Sequence, residues 1–152
     1  MQKILFVCLG NICRSPLAEG IMLHLKEKYH LKVQVDSAGT ANYHVGEVPD
    51  RRTIANAKKN GIDLSFLRAR QFNVADFDAF DRIYVMDRNN LENVMALAKN
   101  QVHKNKIDLF LNSVYENKNM EVPDPYYGTE KTFQDVFQLV YDACEKLARQ
   151  LD

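Results

Sequence analysis

The stretch that most constrains this chain lies at its start. An apolar run, Ile4-Leu5-Phe6-Val7, leads into Cys8-Leu9-Gly10-Asn11-Ile12-Cys13-Arg14-Ser15-Pro16, and an amphipathic run follows. That pattern predicts a strand, a loop and a helix in direct succession. Ser15 suits the helix N-cap and Pro16 the first helical position, where a missing N–H costs nothing. The loop then ends at the positive pole of a helix, with free amides available to an anion. Gly10 and Asn11 are the two residues best able to take positive φ and curl successive N–H groups inward as a nest. Arg14 adds a planar fork that grips two phosphate oxygens at once. Cys8 stands at the mouth of this cup, where the positive field favours its thiolate. The combination is a nucleophile aimed at a bound oxyanion.

The remaining pattern predicts an α/β fold. Residues 3–8 are continuously apolar, as in a parallel strand covered on both faces. A helix is expected over 16–29, with Leu17, Ile21, Met22 and Leu25 inward and Glu19, Lys26 and Lys28 toward water. A second strand over 32–36 ends in the turn-forming Asp36-Ser37-Ala38-Gly39-Thr40, followed by a loop over 41–49. Asp50 is expected to cap a helix that stops at Asn60-Gly61. Residues 62–72 read as an irregular, partly helical crossover that Arg68 and Arg70 solvate, and 74–77 as a short helical piece. A strand over 82–86, a helix starting at Asn89 or Asn90, and a weak strand over 106–111 come next. The loop 112–128 is long for a compact domain, which itself suggests function. From Thr132 a closing helix is expected to bury Phe133, Val136, Phe137, Val140, Cys144, Leu147 and Leu151. Alternating strands and helices imply one doubly wound parallel sheet, a single domain over residues 1–152. Ligands of such sheets sit beyond the carboxyl ends of the strands. The Cys8 loop, residues 37–43, Asp87 and the Asp124 loop should therefore gather on one edge.

Composition narrows the function. The formal net charge is zero, so neither nucleic acid nor an anionic membrane is an expected partner, and any anion preference is local. No apolar run approaches the ~20 residues of a membrane span, and the short Ile4–Val7 run, followed at once by the Cys8 loop, is not expected to act as a signal-peptide core. Three cysteines make no disulfide framework, so a reducing cytoplasmic setting is expected. His24, His30 and His103 lack metal-ligand spacing and read as solvated; neither metal nor cofactor is expected. If the oxyanion is an aryl phosphate ester, its departing phenoxide needs a proton donor. Asp124, held between Pro123 and Pro125, fits that task. Tyr43, Tyr126 and Tyr127 could wall a slot for a phenyl ring.

The segment Cys8–Pro16 resembles the signature of the low-molecular-weight protein tyrosine phosphatases. Asp36-Ser37-Ala38-Gly39, Ala69-Arg70-Gln71, Met86-Asp87 and Asp124-Pro125-Tyr126-Tyr127-Gly128 look like that family's other landmarks, in its order. The resemblance implies a flavodoxin-like sheet of order 2-1-3-4. It implies Cys8 as nucleophile, Arg14 as phosphate ligand and Asp124 as general acid and base. Leu9, Gly10, Asn11, Ile12, Cys13 and Ser15 would form the phosphate loop, Ser37 its supporting network, and Tyr43, Tyr126 and Tyr127 the substrate cleft. Ser15 would also steady the departing thiolate. The expected substrates are phosphotyrosyl proteins, with a tyrosine kinase as candidate partner, inorganic phosphate as product, and a monomeric enzyme. Cys13 either fills space under the loop or resolves an oxidised Cys8; the resemblance favours the second. One departure stands out: many members carry a histidine two residues before the Ala-Arg-Gln, and here that residue is Leu67. Rival readings are an arsenate reductase, which needs mid-chain redox cysteines absent between Cys13 and Cys144; an arginine phosphatase, whose loop carries a threonine in place of Ile12; and a non-catalytic oxyanion or redox sensor, which would have no use for Asp124.

Overall fold

Strand β1 (Gln2–Cys8) divides the interior in two. In the computed structural model, which describes residues 1–151, Ile4, Phe6 and Cys8 face one apolar cluster and Leu5 and Val7 the other. The first cluster takes Leu17, Ile21 and Leu25 from helix α1 (Arg14–Tyr29), Ala57 from α2 (Arg51–Lys59), and Val136, Val140 and Leu147 from α6 (Glu130–Leu151). The second takes Phe77 from α3 (Asp76–Ala79), Ile83 and Val85 from β3 (Arg82–Val85), and Val94 from α4 (Arg88–Leu97). Burial on both faces is why the strand reads as a continuous apolar run. Each fully buried Ile, Leu or Phe contributes about 1.5–3 kcal/mol, so the strand that carries Cys8 is anchored along its whole length.

With β2 (Val33–Gly39) and β4 (Ile107–Leu109) the sheet has the order β2-β1-β3-β4, all parallel, as the resemblance implied. Several boundaries differ from expectation for identifiable reasons. Helix α1 begins at Arg14, not Pro16, so Ser15 lies inside the helix and is not its cap; Cys13 occupies the cap position and makes no side-chain capping bond. Pro16 is then the third helical residue, still among the first-turn positions whose N–H has no helical partner. Strand β2 runs through Asp36-Ser37-Ala38-Gly39, which was expected to turn, because it pairs with β1 as far as Cys8↔Gly39. Gly39 is required there: a Cβ would lie 2.7 Å from the Leu9 carbonyl oxygen.

The crossover over 62–72 contains no helix; its backbone pairs with the sheet edge at a Gly39↔Gln71 bridge. Helix α4 is capped by Asp87 rather than Asn89 or Asn90, with the Asp87 carboxylate accepting from the Asn90 N–H at 2.8 Å. A short helix, α5 (Gln101–Asn105), was not foreseen. It carries His103, which is buried and stacked on Phe77 at 4.5 Å, not solvated. The fourth strand is only three residues long and passes into a 3₁₀ turn at Phe110–Ser113. Helix α6 starts at Glu130, ahead of Thr132, and Leu151 at its end is only partly buried.

Candidate active site

The loop between β1 and α1 is built to present its amides. The carbonyls of Cys8, Leu9 and Ile12 turn outward and accept from the N–H groups of Thr40, Ala41 and Asp50 at 2.9, 2.9 and 2.7 Å. The N–H groups of residues 10–15 find no protein acceptor among the described residues. Asn11 supplies the turn with φ of 58°; Gly10, expected to share that conformation, does not adopt it. The result is a cup of inward amides at the α1 N-terminus, with Cys8 at its base.

Behind the cup lies a network with a defined direction. The two Asn11 Nδ2 protons go to Ser15 Oγ at 2.8 Å and Ser37 Oγ at 2.9 Å, and Asn11 Oδ1 accepts from the Arg70 N–H at 2.9 Å. Because Ser15 Oγ accepts from Asn11, its own proton is free to point at Cys8 Sγ, 2.9 Å away. Likewise Ser37 donates to Glu19 Oε1 at 2.5 Å. Two potential anions, the Cys8 thiolate and the Glu19 carboxylate, thus terminate one chain of hydrogen bonds that starts at Asn11. Glu19 is buried, contrary to its expected place in solvent. Burial pushes its carboxyl up to about 7, the Ser37 bond and the Arg70 charge pull it down, and Asp36 adds to the rise. Asn11 and Ser15 do not line the cleft; their side chains belong to the network, which leaves only their amides for a ligand.

Arg14 is buried and anchored by one nitrogen. Its Nη1 donates to Asp87 Oδ2 at 2.7 Å and to the Val122 carbonyl at 3.0 Å. Nε has no partner, and Nη2 lies 3.8 Å from Asp124 Oδ2, so the Nε–Nη2 edge remains available as a fork. Burial works against the guanidinium charge, and Cys8, Asp87 and Asp124 outweigh it and raise its pKa. The cleft above has a volume of about 260 Å³. Leu9, Gly10, Ile12 and Cys13 line its floor with Cys8 and Arg14, and Tyr43, His44, Asp124, Tyr126 and Tyr127 its walls. Asp124 Oδ1 accepts from the Tyr126 N–H at 3.1 Å, and the Tyr126 and Tyr127 rings meet edge to face at 5.0 Å. Burial pushes the Cys13 thiol up to about 12. Among the described residues no cluster of His, Cys, Asp or Glu is arranged to hold a metal ion.

The sequence matches the model of the family described as low molecular weight phosphotyrosine protein phosphatase over residues 3–152. The chain belongs to that family. The phosphotyrosine protein phosphatase of that name from Gallus gallus is 40% identical over 148 residues, covering 95% of this chain and 92% of its own. The crystal structure of a protein tyrosine phosphatase from Entamoeba histolytica, with Hepes in its active site, superposes with a TM-score of 0.91 at 41% identity, covering 99% and 97% of the two chains. An arginine phosphatase, YwlE of Bacillus subtilis, shares the fold at a TM-score of 0.89 and 22% identity, covering 99% of this chain and 95% of its own, a likeness of fold alone.

Within this phosphatase frame, four residues have parts that sequence reading missed. Glu19 looked like a solvent-facing helix position, and only the Ser37 contact across the strand marks it. Arg70 does not merely solvate the crossover: its side chain bridges Asp36 and Asp76 at 3.0 Å each while its amide holds Asn11. Asp87 was singled out as a landmark, but its double duty to α4 and Arg14 needed coordinates. His44 reaches the cleft beside Gly10, with Nδ1 2.9 Å from Glu47. Leu67 is buried in the larger apolar cluster, and the Asn11–Ser15–Ser37 network is complete without a histidine at that position.

Proposed function

We propose that the chain is a protein-tyrosine phosphatase, a phosphoric monoester hydrolase acting through a cysteinyl-phosphate intermediate. The observation that carries this reading is the cup of unpaired amides over residues 10–15, closed by the free Nε–Nη2 edge of Arg14 around Cys8. Three phosphoryl oxygens in that cup leave phosphorus facing Cys8 Sγ. The thiolate attacks, the P–O bond to the aryl oxygen breaks, and Asp124 gives that oxygen a proton. Asp124, now a carboxylate, takes a proton from water. The water oxygen attacks phosphorus, the P–S bond breaks, and inorganic phosphate departs while the Ser15 hydroxyl stabilises the thiolate.

The substrate class follows from the walls. Tyr43, Tyr126 and Tyr127 offer ring faces and edges to a phenyl group. Ile12 on the floor favours a flat ring over a guanidinium carrying phosphate. An arsenate reductase is disfavoured because Cys144, the one further cysteine, is buried in α6 against the Ala18 carbonyl. We read the chain as a monomer and as a single unit over residues 1–152. A tyrosine kinase is the class of enzyme that must supply such substrates. The three free cysteines fit a reducing cytoplasm; no helix is long and apolar enough to cross a membrane among the described residues.

The test is turnover of matched phosphotyrosyl and phosphoseryl peptides with chelator present. We expect strong preference for phosphotyrosine, no loss in chelator, and abolition in Cys8→Ser, whose alkoxide is a poorer leaving group from phosphorus. Comparable kcat/KM on both peptides, or an active Cys8→Ser variant, overturns the reading. Cys8 and Cys13 line the same cleft, and we read Cys13 as the resolving thiol. Peroxide oxidises Cys8 to the sulfenic acid, and Cys13 condenses with it, losing water, to give a disulfide. Its raised pKa makes that closure slow. Cys13→Ser should remain active yet recover less after peroxide and reductant; equal recovery reduces Cys13 to packing.

A further inference from the structure

A second cavity, of about 330 Å³, opens beside the catalytic cleft and shares none of its lining. It lies between helix α2 and the start of α6. Arg52, Ala55, Asn56 and Lys59 recur at the three- and four-residue spacing of one helix face, Arg51 flanks them, and Phe133 forms the apolar back. The ridge between the two hollows is Arg52 itself. Its Cζ lies 5.2 Å from the Tyr126 ring centroid on the cleft side and 4.7 Å from the Phe133 centroid on the other.

The charges on this rim differ in how far they are already satisfied. Arg52 is occupied: Nε and Nη2 donate to Asp50 at 3.1 and 2.9 Å, and Nη1 to the Tyr126 carbonyl at 2.8 Å. The Arg51 side chain makes no hydrogen bond or ion pair among the described residues. Lys59 Nζ stands 3.9 Å from Glu130, the single acid on the lining, with both side chains mostly in water. The surface therefore offers two poorly compensated cations over an apolar floor, on a molecule whose formal net charge is zero.

We propose that this cavity is a substrate subsite for an acidic side chain, Asp or Glu, flanking the phosphotyrosine of a protein substrate. The proposal rests on the phosphotyrosine phosphatase reading of the neighbouring cleft. With the phosphotyrosyl ring between Tyr126 and the Cys8 loop, an extended peptide crosses the Arg52 ridge in about three residues at ~3.3 Å each. An acid at that distance has its methylenes against Phe133 and its carboxylate between Arg51 and Lys59. Arg52, already neutralised by Asp50, serves as the wall and not as the ligand.

The experiment uses three substrates: a phosphotyrosyl peptide with glutamate three residues from the phosphotyrosine on either side, its alanine counterpart, and phenyl phosphate, which is too small to reach the cavity. In the wild type the acidic peptide should have a kcat/KM about five- to tenfold above the neutral one, and the ratio should shrink as salt is added. In the double variant Arg51→Glu, Lys59→Glu the ratio should fall to one or below, with phenyl phosphate turnover reporting that the catalytic cleft is intact. A ratio of one in the wild type, or a preference that survives the charge reversal, overturns the subsite while leaving the phosphatase reading in place. Failure to hydrolyse any of the three substrates overturns both.

Discussion

Two sides of one cleft are held by different means. Around the Cys8 loop, Asn11, Ser15, Ser37 and Glu19 are buried and hydrogen-bonded to one another, and Gly39 lets β2 press against the loop backbone. Across the cleft, the Asp124 side chain is 47% exposed, Tyr43 is 73% exposed and Tyr127 is 96% exposed. The first side is fixed before any ligand arrives, which is what charge stabilisation of a transferring phosphoryl group demands. The second is held mainly by the Asp124–Tyr126 turn and by Arg52 against the Tyr126 carbonyl. A leaving group varies from substrate to substrate, and a yielding wall can follow it. Stability and phosphoryl binding should therefore share determinants, while stability and proton donation should not.

The largest effect separates rate from stability on the open side. Asp124→Ala should lower kcat on tyrosyl substrates by ~10²–10⁴-fold, the usual range for a lost general acid, with thermal unfolding unchanged. A large fall in Tm would mean that the loop is part of the folding core and would break the contrast. On the buried side, Asn11→Ala removes three hydrogen bonds and a residue tolerant of φ near 58°. It should cost roughly 3 kcal/mol of stability as well as activity. Intact Tm with lost activity would show that the loop stands without its network.

Glu19 sharpens the same point through pH. Its folded pKa of about 7 lies above the ordinary 4.5, so the native state holds the proton where the unfolded chain has released it. Stability linked to this group is therefore fully present at low pH and lost as pH rises between those two values. Glu19→Gln keeps an acceptor for Ser37 and removes the titration. The variant should match wild type near pH 4 and exceed it by about 3 kcal/mol at pH 8, read as denaturant midpoints across pH. A difference that does not change with pH would remove the buried carboxylate from the account. The smallest effect belongs to Tyr127→Ala, on a side chain almost wholly in solvent: a KM increase of about two- to fivefold for tyrosyl substrates, and no change in Tm.

The legibility of the chain follows the same divide. The strand–loop–helix around Cys8 could be read because its determinants are local: an apolar run, a residue suited to positive φ and a cysteine–arginine spacing. Sheet order was not in the hydrophobic pattern, since parallel strands all look alike; family resemblance supplied it. What stayed hidden depended on contacts between residues far apart in sequence. Glu19 meets Ser37 across two elements, Arg70 ties the crossover to Asn11, and Asp87 serves α4 and Arg14 at once. Polar strand residues such as Asp36 and Ser37 read as a turn because their partners lay elsewhere in the chain. Capping failed similarly: Ser15 has the composition of a cap, but its hydroxyl is committed to Cys8 and Asn11.

The central claim is that the buried side carries the phosphoryl group on Cys8 and the open side moves the proton. The most direct measurement is acid quenching of Asp124→Ala during turnover of an aryl phosphate with an acidic phenol, followed by mass spectrometry of the peptide containing residues 3–14. Such a phenol departs without a donor, whereas the water that cleaves the P–S bond still needs a base, so phosphocysteine at Cys8 should accumulate above its wild-type level. Turnover with no phosphoryl group on the protein, or with the group on any residue other than Cys8, would contradict the account.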